Sequence, residues 1–250
     1  MRLIAAVLLA SMFASQVQAR DNTATIWLIA DAHGRTIASR NAHMVTPIAS
    51  ITKLVTAMVI LDSGVDLDES VMISRDVDSY LPAEVGMMTR RQMLGAALVS
   101  SDNMSAYNLC ESYPRGYDAC IVAMNDKAKA LGMSDTRFHD SHGLDNRNVN
   151  TANDLVALVA AAATYPLIRQ LASRGEIKYL LDDRIITLRN TNPLTRKDSG
   201  VLLSKTGYTR KAGACIVMLI KTTRGPRIVV FLHGSSTRTR ATEAKNLAFR

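Results

Sequence analysis

The stretch Thr46-Pro47-Ile48-Ala49-Ser50-Ile51-Thr52-Lys53-Leu54-Val55-Thr56-Ala57-Met58-Val59-Ile60-Leu61 decides the fold. Its apolar residues fall at helical spacing and polar ones are scarce on every side, which predicts a helix over 47–61 buried in the middle of a domain. Thr46 is the expected N-cap and Pro47 the expected first helical residue, with Asp62-Ser63-Gly64 as the close. Ser50 and Lys53 stand three apart and share a helical face, so the Ser50 hydroxyl can enter a cleft beside the Lys53 amine. That sets a nucleophile next to a base.

On the N-terminal side, residues 25–30 and 36–39 are β-rich around the turn Asp31-Ala32-His33-Gly34 and predict a hairpin. On the C-terminal side, helices are expected over 91–98, 104–110, 121–131, 151–163 and 167–172, with Gly132 and Tyr165-Pro166 as stops. Residues 65–89 are mixed, broken by Pro82 and Gly86. Three β-rich segments follow at 201–209, 214–222 and 227–233, then a closing helix over 237–249. A two-stranded piece alone is marginal in water, so strands from both chain ends are expected to share one five-stranded antiparallel sheet. The fold class is therefore α/β in the α+β sense, with a helical lobe inserted and a cleft between lobe and sheet.

Residues 1–19 read as a secretory signal: Arg2 is the basic start, 3–13 the apolar core, and Val17-Gln18-Ala19 the cleavage site. The apolar core is shorter than the roughly 20 residues of a bilayer span. A single domain over 20–250 in the periplasm is expected. The formal charge of +8 falls by one on cleavage. Export argues against nucleic acid and favours an anionic wall polymer, and leaves room for peripheral contact with a membrane surface. Three cysteines enter an oxidising compartment. Cys110 and Cys120 could meet across the turn Tyr113-Pro114-Arg115-Gly116, whereas Cys215 sits in an apolar run and reads as a buried free thiol.

Three short motifs occur in order: Ser50-Ile51-Thr52-Lys53, Ser101-Asp102-Asn103 and Lys205-Thr206-Gly207. A serine and lysine at the first spacing arise about once by chance in such a chain. The three contexts together, a buried helix start, an interhelix turn and a strand entering a hairpin, are far more specific.

The chain resembles the low-molecular-mass penicillin-binding proteins of the D-alanyl-D-alanine carboxypeptidase/endopeptidase family, peptidase S11, and within it the endopeptidase branch. The resemblance is carried by residues 44–58, by Ala123-Met124-Asn125 with Ala130-Leu131-Gly132-Met133, and by Lys205-Thr206-Gly207-Tyr208-Thr209 with Ala212-Gly213-Ala214-Cys215. It implies a β-lactamase/transpeptidase-like fold and attack by Ser50 on a D-Ala carbonyl to give an acyl-enzyme. It assigns Lys53 as proton acceptor, with its pKa lowered by desolvation or by a cation such as Lys205, and Ser101 as proton relay. Asn103 would hold substrate and fix the Lys53 amine. Lys205 and Thr206 would bind the substrate carboxylate, Gly207 would admit close backbone approach, and Tyr208 would complete an oxyanion hole with Ser50. Peptidoglycan stems and cross-links are the implied substrate and β-lactams the implied covalent inhibitors, with no cofactor or metal. Cys110 and Cys120 depart from the small and aromatic residues of the relatives, which suggests a disulfide.

The absence of an evident deacylating glutamate counts against a class A β-lactamase, and a wall-binding scaffold would have no need of the intact motifs. His139 and His142 flank Asp140 but lack zinc-motif spacing and a Gly-x-Ser-x-Gly elbow, so they read as loop histidines. Asp102 is expected to be a solvated carboxylate, and Arg238, Arg240 and Arg250 a solvated helix face.

Overall fold

The computed structural model describes residues 22–250 except 75–76, 80, 82–85, 182 and 198. The signal sequence expected over 1–19 and the break expected at Pro82 lie outside the described residues. Strands β1 (Ile26–Asp31) and β2 (Thr36–Arg40) form the expected hairpin. Its turn is held by the Asp31 carboxylate, which accepts from the backbone N–H of His33 at 2.9 Å and of Arg35 at 3.0 Å.

The buried helix is present, but its start differs from expectation. Thr46–Pro47 is a short strand, β3, and the chain then makes a 3₁₀ turn, Ala49–Thr52, before helix α1 (Lys53–Asp62). Thr46 is not the N-cap: it pairs with Asn150, while the Ile48 N–H donates to Asn148 O at 3.3 Å. Backbone pairing with a remote segment outcompetes the local cap. Every residue from Lys53 to Ile60 is buried, as the missing polar stripe implied.

Strands β4 (Ser70–Met72) and β5 (Met87–Thr89) pair beside the helical lobe. Helix α2 (Arg90–Gly95) follows a Thr89–Gln92 capping box. It runs into a π turn, Ala96–Ser100, so the helix expected to end at 98 extends in distorted form to the second motif. Helices α3 (Asn103–Glu111) and α4 (Gly116–Ala130) come next. Helix α4 starts five residues before the expected 121, because Arg115 at φ +71° and Gly116 at φ +83° turn the chain. The Cys110–Cys120 disulfide ties α3 to α4. Cys215 is buried and free, and burial pushes its thiol up to about 11.

Strand β6 (Val149–Asn150) closes the pairing with β3. Thr151 accepts from Asp154 N and caps helix α5 (Ala152–Ala162), and helix α6 (Pro166–Ser173) follows. A hairpin absent from the sequence expectation, β7 (Glu176–Leu181) with β8 (Arg184–Arg189), packs Ile177, Leu181 and Leu188 inward. Strands β9 (Val201–Thr209), β10 (Gly213–Thr222) and β11 (Gly225–Gly234) and helix α7 (Arg240–Ala248) complete the chain.

The main sheet is antiparallel in the order β2-β1-β11-β10-β9, so both chain ends contribute to it. Its two faces are buried in different cores. Leu28, Val217, Val230 and Leu232 meet the helical lobe, whereas Ile29, Met218, Val229 and Phe231 pack against Ala241, Ala244 and Leu247 of α7. Double burial explains why β10 and β11 are continuously apolar rather than alternating. β9 is the sheet edge facing the lobe, and the 3₁₀ turn that carries Ser50 packs against it. Among the described residues no single helix is long and apolar enough to cross a membrane.

Candidate active site

The Lys53 side chain is fully buried, and its Nζ sits 2.8 Å from Ser50 Oγ, 2.8 Å from Asn103 Oδ1 and 2.7 Å from the His142 carbonyl oxygen. Two of these partners, the amide oxygen and the backbone carbonyl, can only accept. A neutral amine spends its two N–H groups on them and turns its lone pair toward the Ser50 hydroxyl. Burial lowers the Lys53 pKa to about 7, partly offset by the negative charges of Asp102 and Asp140. Desolvation is thus the main cause, rather than the cation considered as an alternative.

The His142 carbonyl is aimed by the loop beneath it. The Asp140 carboxylate gathers the backbone N–H groups of His142 (3.0 Å), Gly143 (2.5 Å) and Asp145 (2.6 Å) together with Asn148 Nδ2 (2.8 Å). Gly143, at φ +88°, passes so close that a Cβ there would lie 2.1 Å from Ala49 O and 2.8 Å from Ser50 N. Ala49 itself stands at φ +49°, a strained conformation for a residue with a side chain. The His142 ring accepts from Leu144 N at 3.3 Å, and burial lowers its pKa against the opposing pull of the Asp140 carboxylate. His142 therefore serves the site through its carbonyl, a role that side-chain motifs did not reveal.

Ser101 ends the π turn at φ +63°. Asp102 caps α3: it is fully buried, accepts from Ser105 N at 2.7 Å, and receives the Ser79 hydroxyl at 2.6 Å. The expectation of a solvated carboxylate is overturned, because the helix N-terminus supplies donors and positive potential that replace water. Asn103, the first residue of α3, is thereby held over Lys53.

From the sheet side, Lys205 is 1% exposed and donates to Ser101 Oγ at 2.8 Å and to Thr206 O at 2.9 Å. Burial, Lys53 and Arg240 all push its pKa well down. Thr206 Oγ1 lies 2.6 Å from Thr191 Oγ1. A Cβ on Gly207 would lie 2.6 Å from Ile48 O and 3.1 Å from Ser50 N, so only glycine lets β9 approach the Ser50 turn this closely. Tyr208 is 59% exposed at the rim. Arg238 and Arg250 are exposed as expected, but Arg240 is 8% exposed and donates to Gly207 O at 2.9 Å. It turns inward because α7 packs on β10 and β11, and from the helix's first residue the guanidinium reaches the Gly207 carbonyl of β9.

Ser50, Ser101, Asn103, Thr206, Gly207 and Arg240 line a cleft of about 220 Å³, with Leu144, Thr191 and Tyr208 completing its wall. Among the described residues no carboxylate lines it, while Lys53 and Lys205 lie beneath it and Arg240 lines it. Among the described residues no group of three His, Cys, Asp or Glu side chains could hold a metal ion.

A serine hydroxyl beside a buried amine of lowered pKa, on a turn packed against a sheet edge, is the arrangement of a serine acyl-transfer enzyme. The sequence profile of the D-alanyl-D-alanine carboxypeptidase family, peptidase S11, matches residues 13–236, and the chain belongs to that family. It is 41% identical over 223 residues to a D-alanyl-D-alanine endopeptidase of Pseudomonas aeruginosa, covering 86% of this chain and 72% of that protein. It is 38% identical to a D-alanyl-D-alanine endopeptidase of Escherichia coli, covering 97% and 84%. Penicillin-binding protein D2 of Listeria monocytogenes, solved in a cefotaxime-bound form, superposes with a TM-score of 0.82 at 26% identity, covering 91% of this chain and 96% of that one.

Proposed function

We propose that this protein is a periplasmic serine D,D-peptidase of peptidoglycan that cleaves D-Ala to meso-diaminopimelate cross-links through a Ser50 acyl-enzyme. The observation that carries this is the Lys53 amine, buried, near pKa 7 and 2.8 Å from Ser50 Oγ. Lys53 takes the Ser50 proton as Oγ attacks the D-Ala carbonyl. The backbone N–H groups of Ser50 and Tyr208 stabilise the oxyanion, about 3 to 4 kcal/mol per donor. Ser101 then gives its hydroxyl proton to the leaving amine and takes in its place the proton that Lys53 accepted from Ser50, which leaves Lys53 neutral again; Lys205, bonded to Ser101 Oγ, restrains that hydroxyl. Asn103 holds the substrate peptide and the Lys53 amine in register. Water releases the acyl group in a second round that uses the same base.

The substrate carboxylate binds at Lys205 and Thr206, with Arg240 behind Gly207. Arg240 lines the cleft and no carboxylate among the described residues does, which supports an anionic ligand. Among the described residues no carboxylate lines the cleft to activate a deacylating water, which supports slow release of β-lactams, acting as covalent inhibitors rather than substrates. Two endopeptidase relatives support cross-link cleavage over trimming of terminal D-Ala.

The test is incubation of the purified protein and a Ser50→Ala variant with cross-linked dimeric and uncross-linked pentapeptide muropeptides. Loss of dimer with wild type only is expected. Release of D-Ala from pentapeptide with dimer intact would replace the endopeptidase by a carboxypeptidase, and turnover of neither would refute both.

A further inference from the structure

Thr191 lies between two buried asparagines, in a segment clamped to three parts of the molecule. Asn190 donates its N–H to Gly175 O at 2.8 Å and its Nδ2 to Arg174 O at 2.8 Å. Asn192 donates Nδ2 to Ser204 Oγ of β9 at 3.1 Å, and its own N–H goes to Asn190 Oδ1 at 2.8 Å. The Thr191 N–H donates to Val99 O at 3.1 Å, on the π turn that ends at Ser101. The Thr191 side chain is thus fixed between the Ser101 turn and β9. It lines the cleft, with its Oγ1 2.6 Å from Thr206 Oγ1.

Two hydroxyls share two protons, and one of them occupies the short oxygen–oxygen contact. If Thr206 donates that proton, it presents only lone pairs to the cleft and repels a carboxylate. If Thr191 donates it, the Thr206 proton is released toward the cleft and its oxygen is polarised by the incoming bond. A carboxylate arriving beside Lys205 is compatible only with the second arrangement. We propose that Thr191 is a positioning residue for recognition of the substrate's carboxylate, donating to Thr206 so that the Thr206 hydroxyl points at the anion. This rests on the proposed binding of that carboxylate by Lys205 and Thr206.

The test uses the full purified protein and the variants Thr191→Val, which keeps the shape and removes the hydroxyl, and Thr191→Ser, which restores it. The readout is the second-order rate of Ser50 acylation by benzylpenicillin and by its neutral methyl ester. Wild type should prefer the acid, and Thr191→Val should lose about fivefold of that preference while ester acylation stays within about twofold. Thr191→Ser should recover wild-type behaviour. A Val variant that keeps the full preference, or that loses acid and ester reactivity equally, overturns the positioning role alone. A wild type that treats acid and ester alike overturns the carboxylate site itself, and the role of Thr191 with it.

Discussion

The pH dependence of acylation is where the geometry makes its most quantitative demand. Only a neutral Lys53 can accept the Ser50 proton. A lysine of ordinary pKa near 10.5 would be neutral in roughly one molecule in 3000 at pH 7, whereas a pKa of about 7 leaves about half of the molecules competent. The folded-state pKa is depressed, so activity is lost as pH falls through it. Acylation by benzylpenicillin, followed by stopped-flow quenching of intrinsic fluorescence between pH 5 and 9, should rise to a plateau with a midpoint near 7. Below about pH 6 it should fall roughly tenfold per pH unit. Asp102 favours the protonated amine, so Asp102→Asn, which can still cap α3, should move the midpoint to lower pH. A midpoint above 9, a flat profile, or an upward move in Asp102→Asn would refute the assignment of Lys53 as a desolvated base.

Gly207→Ala would push a methyl group to 2.6 Å from Ile48 O and 3.1 Å from Ser50 N, both backbone atoms that cannot step aside. Acylation should fall by about a hundredfold or more, as misplacement of a reacting group implies, with the far-ultraviolet circular dichroism spectrum retained. The disulfide closes a loop of sequence separation 10 within the lobe. The double variant Cys110→Ala/Cys120→Ala should therefore lose about 2 to 3 kcal/mol in urea unfolding. Acylation should stay within twofold, and a tenfold loss would show that the bridge also positions Asn103 at the far end of α3.

Much of this site was legible before the structure because its parts obey local rules. The apolar face pattern around Ser50 and Lys53, the polar turn at Ser101, and the apolar strands flanking Lys205 each announce their element. What escaped depends on partners distant in sequence. Arg240 reads as a helix-surface arginine until its guanidinium is seen to reach the carbonyl of Gly207, 33 residues earlier in the chain. Asp102 reads as solvated until Ser79 and the α3 N-terminus are seen to satisfy it. The contribution of His142 is a backbone carbonyl, invisible to any side-chain motif, although Gly143 beside it was a usable signal for close backbone approach. Thr46 failed as a cap for the same reason, since strand pairing with Asn150 claimed its backbone. The β7–β8 hairpin escaped although its signal was present: Ile177, Tyr179 and Leu181 turn inward at every second position between the exposed Glu176, Lys178 and Leu180.

The nucleophile is the claim on which the whole account turns. Mass spectrometry after benzylpenicillin labelling and trypsin cleavage addresses it directly, because cleavage after Arg40 and Lys53 isolates the fragment 41–53 that carries Ser50. The penicilloyl mass should appear on that fragment at Ser50, and Ser50→Ala should carry no label. An adduct on Ser101 or on any other residue, or undiminished labelling of Ser50→Ala, would contradict it.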